Sequence, residues 1–363
     1  MNVLITGCCG FIGTNFVYYY LKYHPNDFVV GLDKLTYAGN LDNLSNLSDE
    51  ERRRFLFVKG DIKNTELIEY IFKNYEIDIV VNFAAESHVD RSIYNSKIFL
   101  ETNIIGVQNL LDIAKKFWLN GKEWITNKKF IQISTDEVYG SLEKDGKKFT
   151  EDSPLLPRNP YAVSKAAADL LVKSYFETYG MPVNITRCSN NYGPYQFPEK
   201  FIPLIITNAL DHKELPIYGD GKQIRDWIHV FDHCRAIDAV IESGKIGEVY
   251  NIGAENEWEN IELVKKVLKI LMDETNDKSI NEKLIKYVPD RPGHDKRYAI
   301  DNRKIKSELK WEPKIDFENG IKDTIRWYLR NKVWIERIKT DEYKNWYEKN
   351  YVTRNEFTVR GVI

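Results

Sequence analysis

Val3-Leu4-Ile5-Thr6-Gly7-Cys8-Cys9-Gly10-Phe11-Ile12-Gly13 joins a short apolar run to a helical pattern through a glycine-rich turn. Glycine lets a backbone turn tightly and approach a pyrophosphate, and the N-terminus of the following helix offers free N–H groups to the phosphates. The sequence therefore predicts the first strand, turn and helix of a dinucleotide-binding fold, with Gly7, Gly10 and Gly13 contacting the cofactor.

The same alternation of apolar runs and helical patterns continues to about residue 190. Continuous apolar strands separated by helices are typical of a parallel sheet that is covered on both faces. The predicted strands are 3–6, 28–33, 55–59, 79–83, 130–134 and 183–187. The predicted helices are 11–23, 65–75, 98–118 and 161–179.

We therefore predict an α/β protein with a Rossmann-type doubly wound parallel sheet. Residues 1–190 are expected to form the NAD-binding Rossmann domain, and a later strand near 228–253 is expected to return to it. Beyond residue 190 prolines and aromatic residues become frequent, which indicates a smaller mixed α/β lobe for the substrate, mainly residues 191–330. Residues 331–363 form a charged and aromatic tail to which the sequence assigns no role.

Composition excludes several classes of protein. The 363-residue chain has a formal charge of −2, which gives no reason to expect binding to nucleic acid or to a membrane surface. No apolar run reaches the roughly 20 residues of a membrane span, and the first residues lack the features of a signal peptide. The four cysteines, Cys8, Cys9, Cys188 and Cys234, have neither the spacing of a zinc site nor that of a disulfide framework. We expect a cytoplasmic protein with reduced thiols and no metal.

Two acids follow the next predicted strands. Asp33 ends the second strand, 20 residues after Gly13. An acid at this place accepts hydrogen bonds from ribose hydroxyls and repels a 2′-phosphate, which favours NAD over NADP, although the adjacent Lys34 weakens that inference. Asp61 follows the third strand and is placed to contact the adenine. The alternative is that both acids merely cap helices.

Tyr161 and Lys165 lie four residues apart and therefore share one face of a predicted helix. Free tyrosine has a pKa near 10, and a nearby lysine cation together with a positively charged nicotinamide favours the phenolate. Such a tyrosine can act as a base toward an alcohol. An ordinary amphipathic helix can carry the same pair, so the prediction depends on the dinucleotide loop that accompanies it.

Thr135-Asp136-Glu137 ends another predicted strand with a hydroxyl and two adjacent carboxyls. Thr135 can bond the reacting oxygen. Two ionised carboxylates close together repel, so one of them keeps its proton, and the pair then supplies one acid and one base. The alternative is a polar turn. With the loop and the Tyr-Lys pair, these groups suit oxidation of a sugar hydroxyl followed by loss of water.

Seven blocks of sequence carry a family resemblance that covers almost the whole chain. They are Asp33-Lys34-Leu35-Thr36-Tyr37-Ala38-Gly39-Asn40, Ala84-Ala85-Glu86-Ser87-His88-Val89-Asp90-Arg91-Ser92, Ser134-Thr135-Asp136-Glu137-Val138-Tyr139-Gly140, Ser189-Asn190-Asn191-Tyr192-Gly193-Pro194, Leu215-Pro216-Ile217-Tyr218-Gly219, Arg225-Asp226-Trp227 and Asp290-Arg291-Pro292-Gly293-His294-Asp295-Lys296-Arg297-Tyr298. On these blocks the sequence resembles the dTDP-glucose 4,6-dehydratases, a family of extended short-chain dehydrogenase/reductases.

The resemblance implies a reaction in which NAD⁺ stays bound and is regenerated in each turnover. Tyr161 would take the proton of the sugar 4-hydroxyl, which Thr135 bonds, while C4 gives a hydride to NAD⁺. Glu137 would then remove the C5 proton, and Asp136 would protonate the departing C6 hydroxyl. Return of the hydride to C6 and reprotonation of C5 give a nucleotide-linked 4-keto-6-deoxyglucose. Lys165 completes the catalytic set.

The resemblance also implies the binding residues. For the cofactor they are Phe11, Ile12, Asp33, Lys34, Leu35, Thr36, Asp61, Ile62, Phe83, Ala84, Ala85, Glu86, Ser87, Thr102, Tyr161, Lys165 and Asn191. For the sugar nucleotide they are Ser87, Thr135, Asn190, Lys200, Pro216, Tyr218, Arg225, Asn260, Arg291 and His294. Arginine suits a sugar diphosphate because its guanidinium bonds phosphate oxygens bidentately. Family members are homodimers, and the helices 98–118 and 166–179 would form the interface.

Two departures from the family pattern and several alternatives stay open. Cys8-Cys9 replaces the usual Gly-Ala, which is tolerated only if φ stays negative and which alters the surroundings of the pyrophosphate. Ala162-Val163 replaces the commoner Ser-Ala. The alternatives are a UDP-glucose 4,6-dehydratase, a UDP-sugar 4-epimerase, a UDP-glucuronate decarboxylase and a non-catalytic NAD-binding sensor. The sequence does not distinguish thymine from uracil, because one methyl group is worth only about 1–3 kcal/mol.

Overall fold

The structure is a computed structural model that describes residues 1–143 and 146–352. Its strands are β1 (Asn2–Thr6), β2 (Phe28–Asp33), β3 (Phe55–Lys59), β4 (Ile79–Asn82), β5 (Leu119–Asn120), β6 (Glu123–Trp124), β7 (Lys129–Thr135), β8 (Val183–Cys188), β9 (Asn190–Tyr192), β10 (Leu215–Tyr218), β11 (Ile224–His229), β12 (Val249–Ile252), β13 (Glu257–Glu259) and β14 (Ile285–Val288). Its α-helices are Phe11–Tyr23, Asp49–Arg53, Thr65–Tyr75, Val89–Tyr94, Ser96–Leu100, Gly106–Trp118, Pro160–Tyr179, Phe201–Leu210, Val230–Ser243, Asn260–Thr275, Arg303–Leu309, Phe317–Arg330, Lys332–Ile338 and Asp341–Tyr347.

The described residues include a seven-stranded sheet in the order β12-β8-β7-β4-β1-β2-β3, in which every neighbouring pair is parallel. The carboxyl ends of parallel strands meet at one edge, and the strand order reverses between β1 and β4. Thr6 at the end of β1 pairs with Leu32 on one side and with Asn82 on the other. The crevice at this point is where such sheets bind ligands.

Both faces of the sheet are buried, as the continuous apolar strands indicate. Val3 and Ile5 of β1 pack on one face with the helices Phe11–Tyr23 and Val230–Ser243. Leu4 packs on the other face with the helices Thr65–Tyr75 and Gly106–Trp118. Successive side chains of a strand point to opposite faces, so a run of apolar residues fills both layers of core.

A smaller lobe lies beside the carboxyl edge of the sheet. It contains the mixed sheet β13-β11-β9, the parallel pair β10-β14 and the helices Phe201–Leu210, Asn260–Thr275 and Phe317–Arg330. Its own core includes Ile206, Leu263 and Ile321, all with no exposed surface. The predicted fold class, a Rossmann-type parallel sheet with a smaller mixed α/β lobe, is confirmed. β12 lies at the edge of the large sheet, where it pairs with β8.

One predicted helix is interrupted. The sequence predicts a continuous helix over 98–118, whereas the structure has Ser96–Leu100, a π-helix over Glu101–Ile105 and then Gly106–Trp118. A π-helix inserts one extra residue into a turn and rotates the side chains around it. Phe99, before the insertion, packs with Val89 and Tyr161, whereas Leu110, after it, packs under the large sheet.

The described residues after 331, which are residues 332–352, pack on the rest of the protein. Ile338, Tyr343 and Trp346 form a buried apolar cluster with Phe197. No helix in the part of the chain that the structure describes is long and apolar enough to cross a lipid bilayer. A cytoplasmic location stays a prediction.

Candidate active site

A cavity of about 340 Å³ opens at the carboxyl edge of the sheet, between the glycine turn and the smaller lobe. It brings together the predicted cofactor loop and the predicted catalytic residues. Among the predicted residues, it is lined by Gly7, Gly10, Phe11, Ile12, Gly13, Asp33, Lys34, Thr36, Asp61, Ile62, Phe83, Ala84, Ala85, Glu86, Ser87, Thr102, Thr135, Asp136, Glu137, Tyr161, Lys165, Asn190, Asn191 and Lys200. A volume in this range suits a cofactor or substrate site.

The glycine turn has the geometry that a dinucleotide requires. Gly7 has a φ of +66°, and a Cβ there would lie 2.7 Å from the backbone nitrogen of Ala84. A Cβ on Gly13 would collide with the carbonyl oxygen of Gly7. Gly10 starts the helix Phe11–Tyr23 without a side-chain cap, so the first N–H groups of the helix remain available to phosphate oxygens. The turn therefore fits a pyrophosphate.

Cys8 and Cys9 point into the core and not into the cavity. Both have no exposed surface and pack with the apolar residues beneath β1. Neither residue has a positive φ, so the condition for replacing glycine is met. Their Sγ atoms lie 3.8 Å apart, and burial raises the pKa of the Cys8 thiol well above its usual value. The two thiols are therefore packing groups and leave the pyrophosphate surface unchanged.

Asp33 lies at the end of β2, beside the turn. Its Oδ2 accepts a hydrogen bond of 2.9 Å from the Cys9 backbone N–H, and its Oδ1 accepts one of 2.7 Å from Leu35 N–H. The carboxylate thus fixes the turn and still lines the cavity, where its remaining lone pairs can accept hydrogen bonds from ribose hydroxyls. Leu35 does not line the cavity, because its side chain packs against the core.

Lys34 and Asp61, which both line the cavity, form an ion pair. Lys34 Nζ lies 2.9 Å from Asp61 Oδ2. Burial alone would raise the pKa of Asp61, but the Lys63 backbone N–H and the Lys34 ammonium outweigh it and lower the pKa. Lys34 is therefore less available to bind a 2′-phosphate, because its ammonium already has an anionic partner. This strengthens the prediction of NAD over NADP.

Tyr161 and Lys165 share one face of the helix Pro160–Tyr179, and both are buried. Lys165 Nζ donates a hydrogen bond of 2.6 Å to the carbonyl oxygen of Ile133. Burial lowers the pKa of Lys165, whereas burial and the Glu137 carboxylate raise the pKa of Tyr161 well above its usual value. Lys165 Nζ thus also bonds the backbone of β7, and the effect of its charge on Tyr161 stays a prediction.

Thr135 connects the tyrosine to the acid pair. A hydrogen bond to Thr135 lowers the pKa of Tyr161 and opposes the effect of burial. The Oγ1 of Thr135 also donates to Asp136 Oδ1 at 3.3 Å and accepts from the Glu137 backbone N–H at 3.3 Å. One hydroxyl thus lies between the proposed base and the proposed acid, at the carboxyl end of β7.

Asp136 and Glu137 lie in different environments. Asp136 is buried, and burial, the Glu137 carboxylate and the Asp226 carboxylate together raise its pKa well above the usual value. Glu137 is half-buried, and its Oε2 lies 3.4 Å from the Asn159 amide nitrogen and 3.5 Å from the Tyr298 hydroxyl. The arrangement favours a protonated Asp136 beside a hydrogen-bonded Glu137, which is one acid and one base.

Asn103 lies outside the cavity lining but supports it, and the sequence analysis did not reveal this residue. It lies in the π-helix Glu101–Ile105, and its Nδ2 donates to the Glu86 carbonyl oxygen at 2.9 Å and to Ser164 Oγ at 2.8 Å. Its Oδ1 accepts from the Glu86 backbone N–H at 2.9 Å. Asn103 therefore ties the catalytic helix to the loop that lines the cavity. The interrupted helix is the structural signal, and it is absent from the sequence pattern.

The predicted substrate residues fall into two groups. Ser87, Thr135, Asn190 and Lys200 line the cavity, and Lys200 Nζ donates to the Ser87 carbonyl oxygen at 2.7 Å. Pro216, Tyr218, Arg225, Asn260, Arg291 and His294 lie outside its lining, in the smaller lobe. The cavity therefore unites the cofactor and sugar ends of the predicted site, and the remaining residues form a second group.

This second group has the charge that a diphosphate requires. The Tyr218 hydroxyl donates to Asp90 Oδ2 at 2.8 Å, and Arg291 Nη1 lies 3.7 Å from Asp90 Oδ1. The buried Nε of Arg291 has no hydrogen-bond partner among the residues that the structure describes. Burial, followed by the charges of Arg291 and Arg225, lowers the pKa of His294 to about 3. A buried unpaired guanidinium N–H is costly unless a ligand such as phosphate completes it.

The parallel sheet, the glycine turn at its carboxyl edge and the buried Tyr161 and Lys165 define an extended short-chain dehydrogenase/reductase. A family model described as GDP-mannose 4,6 dehydratase matches residues 4–324. The dTDP-glucose 4,6-dehydratase of Salmonella typhimurium is 48% identical over 363 residues, which cover 98% of this chain and 100% of that protein. The chain belongs to the dTDP-glucose 4,6-dehydratase family.

Solved structures give the same relationship. The structure of dTDP-glucose 4,6-dehydratase from Bacillus anthracis, in complex with NAD, is 47% identical to this chain with a TM-score of 0.82. The match covers 93% of this chain and 100% of the Bacillus chain. The dTDP-glucose 4,6-dehydratase from Streptomyces venezuelae, with NAD and TYD bound, is 45% identical with a TM-score of 0.84 at the same coverage.

Proposed function

We propose that this chain is an NAD-dependent hydro-lyase that converts dTDP-glucose to dTDP-4-keto-6-deoxyglucose and water. The observation that carries the proposal is the environment of Asp136. Its buried carboxyl lies beside Glu137 and shares one cavity with Tyr161 and the glycine turn. Oxidation of an alcohol alone needs no such acid and base, whereas elimination of water needs both.

The cofactor supplies the redox chemistry: when bound, NAD accepts a hydride from C4 of the sugar and returns one to C6. The glycine turn and the start of the helix Phe11–Tyr23 would hold its pyrophosphate, and Asp33 would bond its ribose. Tyr161 takes the proton of the sugar 4-hydroxyl, and Thr135 bonds that oxygen. Lys165 holds the carbonyl of Ile133 and so fixes the strand that presents Thr135.

Elimination uses the acid pair. The 4-ketone acidifies the C5 hydrogen, and Glu137 removes it as a proton. Asp136 gives its own proton to the departing C6 hydroxyl, which leaves as water. The low dielectric around Asp136 keeps this proton in place until the hydroxyl departs.

The two parts of the chain would bind different parts of the reacting system. We propose that residues 1–190 together with β12 bind the cofactor and that residues 191–330 mainly bind the sugar nucleotide. Arg225 and Arg291 would bond its diphosphate, with Lys200 and Asn190 nearer the sugar. Arg225 is held by the Asp295 carbonyl oxygen at 2.9 Å and lies over the Tyr298 ring at 4.1 Å, so its guanidinium is already oriented.

The test is NMR of dTDP-glucose incubated with the purified protein, without added NAD, in deuterated water. A 4-keto-6-deoxy product with deuterium at C5 is the expected result. If the product forms only from UDP-glucose, the substrate nucleotide is UDP and not dTDP. A sugar epimerised at C4 without loss of water would replace the proposal by an epimerase.

The pH dependence of the water-loss step tests the protonation of Asp136. Only the protonated form of Asp136 can give a proton to the C6 hydroxyl. Because the pKa of this carboxyl is raised, the rate of water loss should persist at pH values where an ordinary carboxyl has lost its proton. It is then lost as the pH rises through the raised pKa. Single-turnover rates measured across pH should show this alkaline decline in the native chain and lose it in Asp136→Asn. A rate that instead increases with pH over the same range would contradict the assignment.

We propose a homodimer formed by the helices around residues 96–118 and 160–179. These helices expose Leu100, Ile105 and Leu170, which are 42%, 53% and 61% exposed. Large apolar side chains that are exposed on neighbouring helices favour burial against a second copy. Light scattering should give twice the chain mass for the native protein and the monomer mass for Ile105→Glu/Leu170→Glu. Tyr70→Glu, on the exposed face of the helix Thr65–Tyr75, is the control and should remain dimeric.

A further inference from the structure

The last described residues, 332–352, contact the cofactor side of the cleft as well as the smaller lobe; we call them the C-terminal segment. Its helix Lys332–Ile338 carries Trp334, whose ring packs edge-on against Trp327 at 4.9 Å. The indole Nε1 of Trp334 donates a hydrogen bond of 2.7 Å to Asn43 Oδ1. This contact joins residues that are 291 positions apart in the chain.

Asn43 also forms a hydrogen bond to the glycine turn. Its side chain is 1% exposed, and its Nδ2 donates a hydrogen bond of 3.0 Å to the carbonyl oxygen of Cys9. Because an indole N–H can only donate and a backbone carbonyl can only accept, these two partners determine which end of the amide faces each of them. Trp334 therefore fixes the orientation in which Asn43 can bond the turn.

The peptide groups at Cys9 are consequently held from two sides. The Cys9 N–H donates to Asp33, and the Cys9 carbonyl accepts from Asn43 Nδ2 and from the Asn40 backbone N–H at 3.0 Å. Gly10, the next residue, starts the helix whose free N–H groups face the cavity. A shift of the Cys9 carbonyl would tilt these N–H groups away from a pyrophosphate.

The rest of the C-terminal segment covers the wall of the same cavity. Tyr343 packs against Phe197, which lines the cavity, with ring centroids 5.9 Å apart. Trp346 packs against His88 with ring centroids 5.0 Å apart. These contacts keep the helix that bears Trp334 docked on the cofactor side, so the hydrogen bond to Asn43 is part of a packed interface.

We propose that Trp334 is a positioning residue that, through Asn43 and the Cys9 carbonyl, fixes the dinucleotide turn and slows the release of NAD. The proposal rests on the proposed function, because it requires that the turn binds NAD. It assigns to the C-terminal segment a role in retaining the cofactor between turnovers. Trp334 itself does not line the cavity, so its effect falls on cofactor binding and not on the chemical steps.

The test is the rate of NAD release from purified protein, followed by trapping the released cofactor with an NAD-consuming enzyme. Trp334→Phe keeps an aromatic ring but loses the Nε1 donor, and release should become about fivefold faster, which corresponds to the usual value of one hydrogen bond. The apparent KM for added NAD should rise by a similar factor, while kcat at saturating NAD stays within about twofold of the native value.

Trp124→Phe is the matched control, because it removes an indole N–H bond of 2.9 Å to the Tyr179 carbonyl oxygen, away from the cavity. It should release NAD at the native rate. Equal release from the native chain, Trp334→Phe and Trp124→Phe would overturn the proposal. Thermal unfolding of both variants shows whether they are folded before release is compared.

Asn43→Ala separates the proposed route from general packing of the C-terminal segment. If Trp334 acts through Asn43, Trp334→Phe should have no further effect on NAD release in the Asn43→Ala background. If the effects of the two substitutions on NAD release add, Trp334 does not act through Asn43 and the proposal is overturned. Failure of the proposed function looks different, because it appears in the NMR test as the absence of a 4-keto-6-deoxy product, whatever the rates of NAD release. A native chain that holds no NAD and takes up none when NAD is added would contradict the cofactor binding on which both proposals rest.

Discussion

Tyr161→Phe is expected to reduce turnover of dTDP-glucose by about 10³-fold, because a general base of this kind contributes 10²–10⁴-fold. The substitution removes the phenol oxygen that is proposed, as the phenolate, to accept the proton of the sugar 4-hydroxyl. It leaves the ring in its buried place near Val89 and Phe99. Oxidation at C4 is the first step, so neither reduced cofactor nor keto sugar should accumulate.

The measurement is single-turnover formation of the 4-keto product together with absorbance of the reduced cofactor. Tyr175→Phe is the control on the same helix, since its hydroxyl donates to Asp112 at 2.6 Å and lies outside the cavity lining. It should retain native turnover. Unchanged turnover in Tyr161→Phe would rule out this residue as the base.

Asp136→Asn is expected to separate oxidation from elimination. Asparagine keeps the size of the side chain but has no acidic proton, so loss of the C6 hydroxyl should slow by about 10³-fold. The bases for the first step are intact, so reduced cofactor should accumulate after one turnover of oxidation. This accumulation distinguishes the variant from Tyr161→Phe, which should remain oxidised.

Glu137→Gln is the companion variant for the same step. It should block exchange of the C5 hydrogen with deuterated water, because Glu137 is the proposed base for this hydrogen. Rapid-quench NMR of both variants would follow C5 exchange and C6 loss separately. If Asp136→Asn neither slows water loss nor accumulates reduced cofactor, the acid is another group.

The sequence predicts the elements of the large sheet closely. The predicted ranges 28–33 and 55–59 coincide with β2 and β3, and the predicted helix 11–23 coincides with Phe11–Tyr23. These elements follow from local signals: apolar runs, glycine in the turn and the 3.6-residue period of a helix. The helix predicted over 98–118 is the exception, because it contains a π-helix, which a uniform 3.6-residue period does not describe.

The candidate site was also predicted from the sequence only in part. Sequence patterns placed Thr135, Glu137 and Tyr161 at the ends of particular elements, and parallel strands must present such ends at one edge. The pattern could not show that Asn159 caps the catalytic helix with its Oδ1 and approaches Glu137 with its Nδ2. Nor could it show that Leu35 packs against the core while its neighbours line the cavity.

The sequence by itself thus determined the fold class and the dinucleotide turn and predicted the reacting groups, because all of these depend on residue types at short spacing. Only the tertiary structure decided which carboxyl keeps its proton, since the pKa of Asp136 depends on burial and on Asp226 from β11. It also decided that Lys165 bonds a backbone carbonyl and that Trp334 reaches Asn43. Desolvation and contacts between distant residues exist only after the chain has folded, so no local pattern encodes them.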